Sequence, residues 1–175
     1  GTVATVVLVC GLDVVVANSG DATMTMLFGI GSGRLRPAAS PVPAGREPSD
    51  VAAVDLDRDG DADLVIANHE TSRITVLLND GRARFTQAPG SPFDTGARPH
   101  VHGLATGDFD GDGWVDVAVE SADTKEVRVL RGGPRGLWEA TAIPVSASRR
   151  RSARFARSPP IRRSARAIAR SVSCA

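Results

Sequence analysis

Apolar residues along this chain fall in short runs of four to seven, rich in Val, Ile, Leu and Thr and closed by Gly, Asp, Asn or Pro. Runs of that length between turn-forming residues predict β-strands, and no stretch before Arg149 keeps the apolar spacing of a helix. The runs also recur in phase. Asp63-Leu-Val-Ile-Ala-Asn68 has a counterpart fifty residues earlier in Asp13-Val-Val-Val-Ala-Asn18 and fifty-three residues later in Asp116-Val-Ala-Val-Glu-Ser121. Met24-Thr-Met-Leu-Phe28, Ile74-Thr-Val-Leu-Leu78 and Val127-Arg-Val-Leu-Arg131 hold the same register. Each of these is followed by a Gly turn and an apolar residue: Gly31 then Leu35, Gly81 then Phe85, Gly133 then Trp138.

A repeat of about fifty residues with four short strands is the size of a propeller blade, whose edges are protected by packing against neighbouring blades. In the middle copy the strands are expected at residues 51–55, 63–68, 73–78 and 84–87. The expected fold is all-β: an incomplete β-propeller of about three four-stranded antiparallel blades, at about residues 1–43, 44–96 and 97–148. Three blades cannot close a ring of the usual four to eight, so an open arc is expected. A β-sandwich with accidental internal similarity is the rival, and three copies in one phase speak against it.

Between the first and second expected strands of the middle copy lies Asp55-Leu-Asp-Arg-Asp-Gly-Asp-Ala-Asp63, and the last copy has Asp108-Phe-Asp-Gly-Asp-Gly-Trp-Val-Asp116. Both follow the pattern D-x-D-x-D-G-x-x-D. Gly60 and Gly113 at the sixth position let the backbone turn back, so the carboxylates converge and repel one another unless a cation joins them. A hard cation with six to eight oxygen ligands resolves that conflict, and Ca²⁺ suits a flexible all-oxygen cage better than Mg²⁺. The candidate ligands are Asp55, Asp57, Asp59 and Asp63 with the carbonyl of Asp61, and Asp108, Asp110, Asp112 and Asp116 with the carbonyl of Trp114. An EF-hand would need an acid at position twelve and flanking helices, but Ile66 and Val119 stand there. The bland alternative is a solvated acidic turn, which two loops in register disfavour. In the first copy Thr5, Val7 and Val9 replace the acids and only Asp13 remains, so no calcium is expected in that blade.

These loops, with an apolar residue at position two (Leu56, Phe109), Gly at six and Asp at nine, resemble the FG-GAP or VCBS repeat family of integrin-α-like propellers. Phe28-Gly29 and Gly133-Pro134 echo the family's FG and GAP fragments, and the likeness covers residues 1–148. The resemblance implies structural calcium, extracellular or periplasmic use, and a role in adhesion or in recognising a protein or glycan ligand. It also implies further blades, supplied by a longer chain or by self-association. The rival from another class is a substrate-holding propeller part of a secreted hydrolase or lyase.

Charge separates the chain into two parts. All 20 acidic residues precede Arg149, whereas nine of the 21 Lys and Arg lie in residues 149–175, so the repeat region carries 12 positive against 20 negative charges. The Arg, Ser, Ala and Pro of residues 149–175 cannot bury enough surface to fold alone, so a disordered tail is expected. It reads as a basic arm for nucleic acid or anionic lipid, as a solvated linker, or as out-of-frame translation of a GC-rich gene. The abrupt loss of the repeat favours the last. Nucleic acid has no other claim on this sequence. The opening Gly suggests a piece of a longer chain, from which an export signal could have been lost.

Cys10 and Cys174, far apart in sequence, suggest neither a disulfide framework nor a thiolate site, and no apolar run reaches the roughly 18 residues of a membrane span. Catalytic signatures are lacking: there is no nucleophile elbow, P-loop or dinucleotide fingerprint, and the paired acids are assigned to calcium. His69, His100 and His102 are the only histidines, and the sequence places no third ligand beside the last two, so they read as loop or blade-surface residues. Trp114 and Trp138 read as inter-blade packing residues rather than sugar platforms. A non-enzymatic module is therefore expected.

Overall fold

A computed structural model of the chain describes residues 3–6, 12–97, 100–121 and 123–144. Its contacts divide the chain into Gly1–Val145 and Ser146–Ala175, and the second unit lies outside the described residues. The expectations for the arginine-rich tail and for Cys10 and Cys174, and those for the side chains of His102 and Trp138, fall outside them too.

The first unit is all-β, an open and incomplete propeller of three antiparallel sheets. In the first sheet, β1 (Val3–Val6), β2 (Asp13–Asn18), β3 (Thr23–Gly29) and β4 (Leu35–Pro37) pair in chain order, with β5 (Val42–Pro43) also on β3. The second repeats this with β6 (Pro48–Val54), β7 (Asp63–Asn68) and β8 (Arg73–Asn79), the last flanked by β9 (Phe85–Gln87) and β10 (Phe93–Asp94). The third runs β11 (Val101–Gly107), β12 (Asp116–Ser121), β13 (Glu126–Arg131) and β14 (Trp138–Pro144).

The outer strand is broken in two in the first two sheets and continuous in the third. Pro41 separates β4 from β5, and Pro89, Gly90 and Pro92 separate β9 from β10. Proline cannot donate to a ladder, so those outer strands leave and rejoin the sheet. No proline precedes Pro144 in β14, which stays on β13 throughout.

Two apolar cores lie between the sheets. One joins Val15, Ala17, Met24 and Met26 of the first sheet to Val51, Leu64, Ile66 and Leu77 of the second. The other joins Val65, Ala67, Ile74 and Val76 of the second to Val101, Val117, Val119 and Leu130 of the third. Alternate residues of β7 thus serve different cores, and the whole strand is buried, which explains its unbroken apolar run. In β2 burial alternates, because only one of its faces meets another sheet. The third sheet has the mirror condition. Leu56 is 5% exposed beneath the third sheet, while its equivalent Phe109 is 53% exposed on a face that no further sheet covers among the described residues.

Side chains from the inner strands also tie sheet to sheet. A bulge in β6 between Pro48 and Asp50 turns Ser49 and Asp50 towards β11, itself bulged between Val101 and Leu104. Ser49 Oγ donates to the Val101 carbonyl at 3.1 Å, and the Leu104 N–H donates to Asp50 Oδ2 at 3.1 Å.

Candidate metal centre

The two acidic loops leave β6 and β11 and return at Asp63 and Asp116, the first residues of β7 and β12. Both Asp side chains are buried and brace the loop from within. Asp63 Oδ2 accepts the Leu56 N–H and Oδ1 the Asn79 N–H, each at 2.9 Å. Asp116 accepts the Phe109 and Gly132 N–H groups, each at 2.8 Å. One carboxylate therefore fastens the start of the loop and the end of the third strand to the start of the second. Asp13 in the first blade likewise accepts the N–H at the end of the third strand, that of Gly29 at 2.9 Å, although that blade lacks the acidic loop.

The donor at the end of the third strand is Gly29 in the first blade and Gly132 in the third. A Cβ on Gly29 would strike the Leu12 carbonyl oxygen, and one on Gly132 the Val115 carbonyl oxygen. Close approach of the two strands thus accounts for the Phe28-Gly29 dipeptide. Its structural counterpart in the third blade is Arg131-Gly132 rather than Gly133-Pro134.

Within each loop the backbone folds around the acids. Gly60 N–H donates to Asp55 Oδ2 at 3.2 Å and Gly113 N–H to Asp108 Oδ2 at 2.9 Å, with these glycines at φ of 96° and 87°. Asp59 and Asp112 accept the N–H groups two residues on, of Asp61 and Trp114, at 2.9 and 2.8 Å. The result is a convergence of the first, third and ninth residues. Carboxylate oxygens of Asp55, Asp57 and Asp63 all lie within 4.8 Å of one another, as do those of Asp108, Asp110 and Asp116. The carboxylates of Asp59, Asp61 and Asp112 stand outside these two groups.

Bringing like charges together has electrostatic consequences. Burial, with the charges of Asp57 and Asp59, pushes the Asp63 carboxyl up to about 6 against the opposing N–H bonds from Asn79 and Leu56. Asp57 is raised as well, by desolvation first and then by Asp59 and Asp55. Asp55 Oδ1 is buried with no hydrogen-bond partner. A buried acceptor left without a donor, beside two further carboxylates, fits a cation of the oxygen-seeking kind.

The loops differ in what surrounds them. Arg131 Nη1 pairs with Asp110 Oδ2 at 3.2 Å, so a cation joining the second loop competes with an ion pair to one of its carboxylates, and among the described residues no such pair is made to Asp55, Asp57 or Asp63. Replacing Arg131 by Ala is expected to tighten calcium binding at the second loop several-fold at low salt and to leave the first unchanged, as read by calorimetry. Equal effects on both loops would rule out this local competition. The loops also touch. Arg58 donates to the Gly113 carbonyl, and its guanidinium stacks over Trp114 with 4.1 Å from Cζ to the ring centroid. Trp114 is an inter-blade residue as the sequence suggested, through a cation on its face rather than apolar packing.

Sequence reasoning missed a second set of closing residues at the far ends of the blades. Asn68 Nδ2 donates to the Ala44 carbonyl at 2.9 Å and its Oδ1 accepts Thr75 Oγ1 at 2.8 Å. In the first blade the direction of the Asn–Thr bond is reversed, with Asn18 Nδ2 donating to Thr25 Oγ1 at 2.8 Å. The recurring Asn at the end of the repeated hexapeptide was the available signal.

Repeated antiparallel sheets of four or five strands stacked through apolar faces, each second strand opened by a buried Asp, define a propeller-type repeat module. The FG-GAP-like repeat family model matches residues 11–66 and again residues 55–119, and the chain belongs to that family. No curated protein matches the chain.

Proposed function

We propose that this chain is a calcium-stabilised segment of a propeller, serving outside the cytoplasm as a recognition, adhesion or scaffolding surface rather than as an enzyme. The observation that carries the calcium reading is the convergence of three carboxylates in each of two loops, with the buried Asp55 Oδ1 lacking a protein donor. Asp55, Asp57 and Asp63 would hold one ion and Asp108, Asp110 and Asp116 the other, with the carbonyls of Asp61 and Trp114 and the carboxylates of Asp59 and Asp112 as further oxygens. Calcium supplies the positive charge that lets these acids stay ionised side by side, and the loops then tie the first strand of a blade to the second. Acids committed in this way are unsuited to proton transfer.

Recognition is the reading for the rest of the surface. Family membership supports a partner that is a protein or a glycan, with neighbouring blades supplied by a longer chain or by another copy. Among the described residues no helix is long and apolar enough to cross a membrane.

Calorimetric titration of the chelated protein is expected to show two calcium-binding events, in the 10⁻⁴ to 10⁻³ M range typical of extracellular modules. Asp57→Asn should remove one event and Asp110→Asn the other. A chain that takes up no calcium at several millimolar, or keeps both events in these variants, would overturn the assignment.

A further inference from the structure

The blade ends opposite the acidic loops carry a cluster that mixes nitrogen and oxygen donors. Glu47 precedes β6, His69 and Glu70 follow β7, and His100 precedes β11. His69 Nδ1 lies 3.9 Å from Glu47 Oε2 and 3.5 Å from Glu70 Oε1, and ligand atoms of these three residues all fall within 4.8 Å of one another. A metal held tetrahedrally at 2.0–2.1 Å places its donors about 3.4 Å apart, so modest side-chain movement closes the set.

Two backbone hydrogen bonds fix the cluster. The His69 N–H donates to the Glu47 carbonyl at 3.0 Å, and the His100 N–H donates to the His69 carbonyl at 2.7 Å. Glu47 and His100 adopt φ of 46° and 80°, a region that costs energy for residues other than Gly. The fold thus holds two strained residues on either side of His69. The His100 ring stands 4.9 Å from the His69 ring, and its Nδ1 lies 3.1 Å from Asp123 Oδ2. A carboxylate in that place orients an imidazole and raises its basicity, as the outer partners of metal-bound histidines do.

We infer that Glu47, His69 and Glu70 form a zinc site, with the fourth position completed by His100 or by water. Donor chemistry separates it from the acidic loops. Calcium takes oxygen donors, whereas imidazole with carboxylates suits zinc and its transition-metal neighbours. The two kinds of ion therefore occupy opposite ends of the same blades. Zinc at this end would clasp the segment before β6 to the segment after β7, beside the point where the second and third blades meet at His100.

The test is zinc calorimetry on the full chain with Cys10 and Cys174 changed to Ser and both acidic loops saturated with calcium. One zinc per chain is expected, bound at least tenfold more weakly in His69→Ala and in Glu47→Gln/Glu70→Gln, and unchanged in Asp21→Asn, at an exposed turn acid of the first blade. Cobalt in place of zinc reports the same site by its visible absorption, which His69→Ala should abolish. Should His69→Ala fail to fold, Glu70→Gln alone carries the test, because Glu70 is a half-exposed turn residue. Zinc uptake that is absent, or undiminished in the variants, overturns the inference, and the calcium assignment is unaffected by that outcome.

Discussion

Asp63→Ala is expected to lower the unfolding free energy of the calcium-free protein by about 3 kcal/mol at pH 7, measured by urea denaturation. The side chain is fully buried and accepts the N–H groups of Leu56 and Asn79. Each buried donor left without an acceptor costs about 1–3 kcal/mol, and release of a buried charge returns part of that total. Asp57→Ala, at an exposed position in the same loop, should change the calcium-free stability by no more than about 0.5 kcal/mol. The contrast separates bracing from ligation, since both residues belong to the same three-carboxylate group. Equal costs for the two variants without calcium would show that Asp63 acts only through the metal.

Calcium itself is expected to stabilise the fold by about 1.4 kcal/mol per site at a concentration tenfold above Kd, and by about twice that with both loops filled. The dependence on pH then has a definite sign. In the calcium-free fold Asp63 titrates at about 6, against 3.8 for an unperturbed Asp, so the folded chain binds this proton more tightly than the unfolded chain does. Its contribution therefore favours the fold at low pH and is lost as pH rises from about 4 through 6, by on the order of 3 kcal/mol. The raised Asp57 acts in the same direction. Asp80 acts oppositely: the N–H of Arg82 lowers its pKa, so its contribution is lost as the solution becomes acid enough to protonate it. Calcium must displace the Asp63 proton, so its affinity and its stabilising effect should fall as pH drops below 6. Denaturation with chelator and with calcium from pH 7.5 to 4.5 checks both trends. A calcium increment that stays constant across that window would sink the coupling.

Much of the strand pattern was legible because each blade repeats the same demand on its sequence. The hexapeptides at Asp13, Asp63 and Asp116 are strands in all three sheets, and Ile66 and Val119 lie inside β7 and β12, where an EF-hand would need acids. The two-residue strands β5 and β10 were not foreseen, since two residues carry no periodicity. Nor was the division of labour in the acidic loops. Alternating Asp residues look equivalent in sequence, but the fold sends Asp63 into the interior and turns Asp59 onto the N–H of Asp61.

What the sequence determined by itself is what depends on local chemistry: strand-forming runs, a Gly-hinged acidic loop, and the period that makes one unit resemble the next. Those properties follow from side-chain shape, backbone freedom and charge within a few residues, and they sufficed to indicate the fold class and the loops. Only tertiary structure decided which residues meet across tens of positions. Leu56 is covered and Phe109 is not because a sheet packs on one and not on the other. Glu47, His69 and His100 are separated by more than twenty residues at each step, and no spacing rule connects them. They converge because antiparallel strands return their ends to the same edge, and because stacked sheets set the edge of one blade beside that of the next.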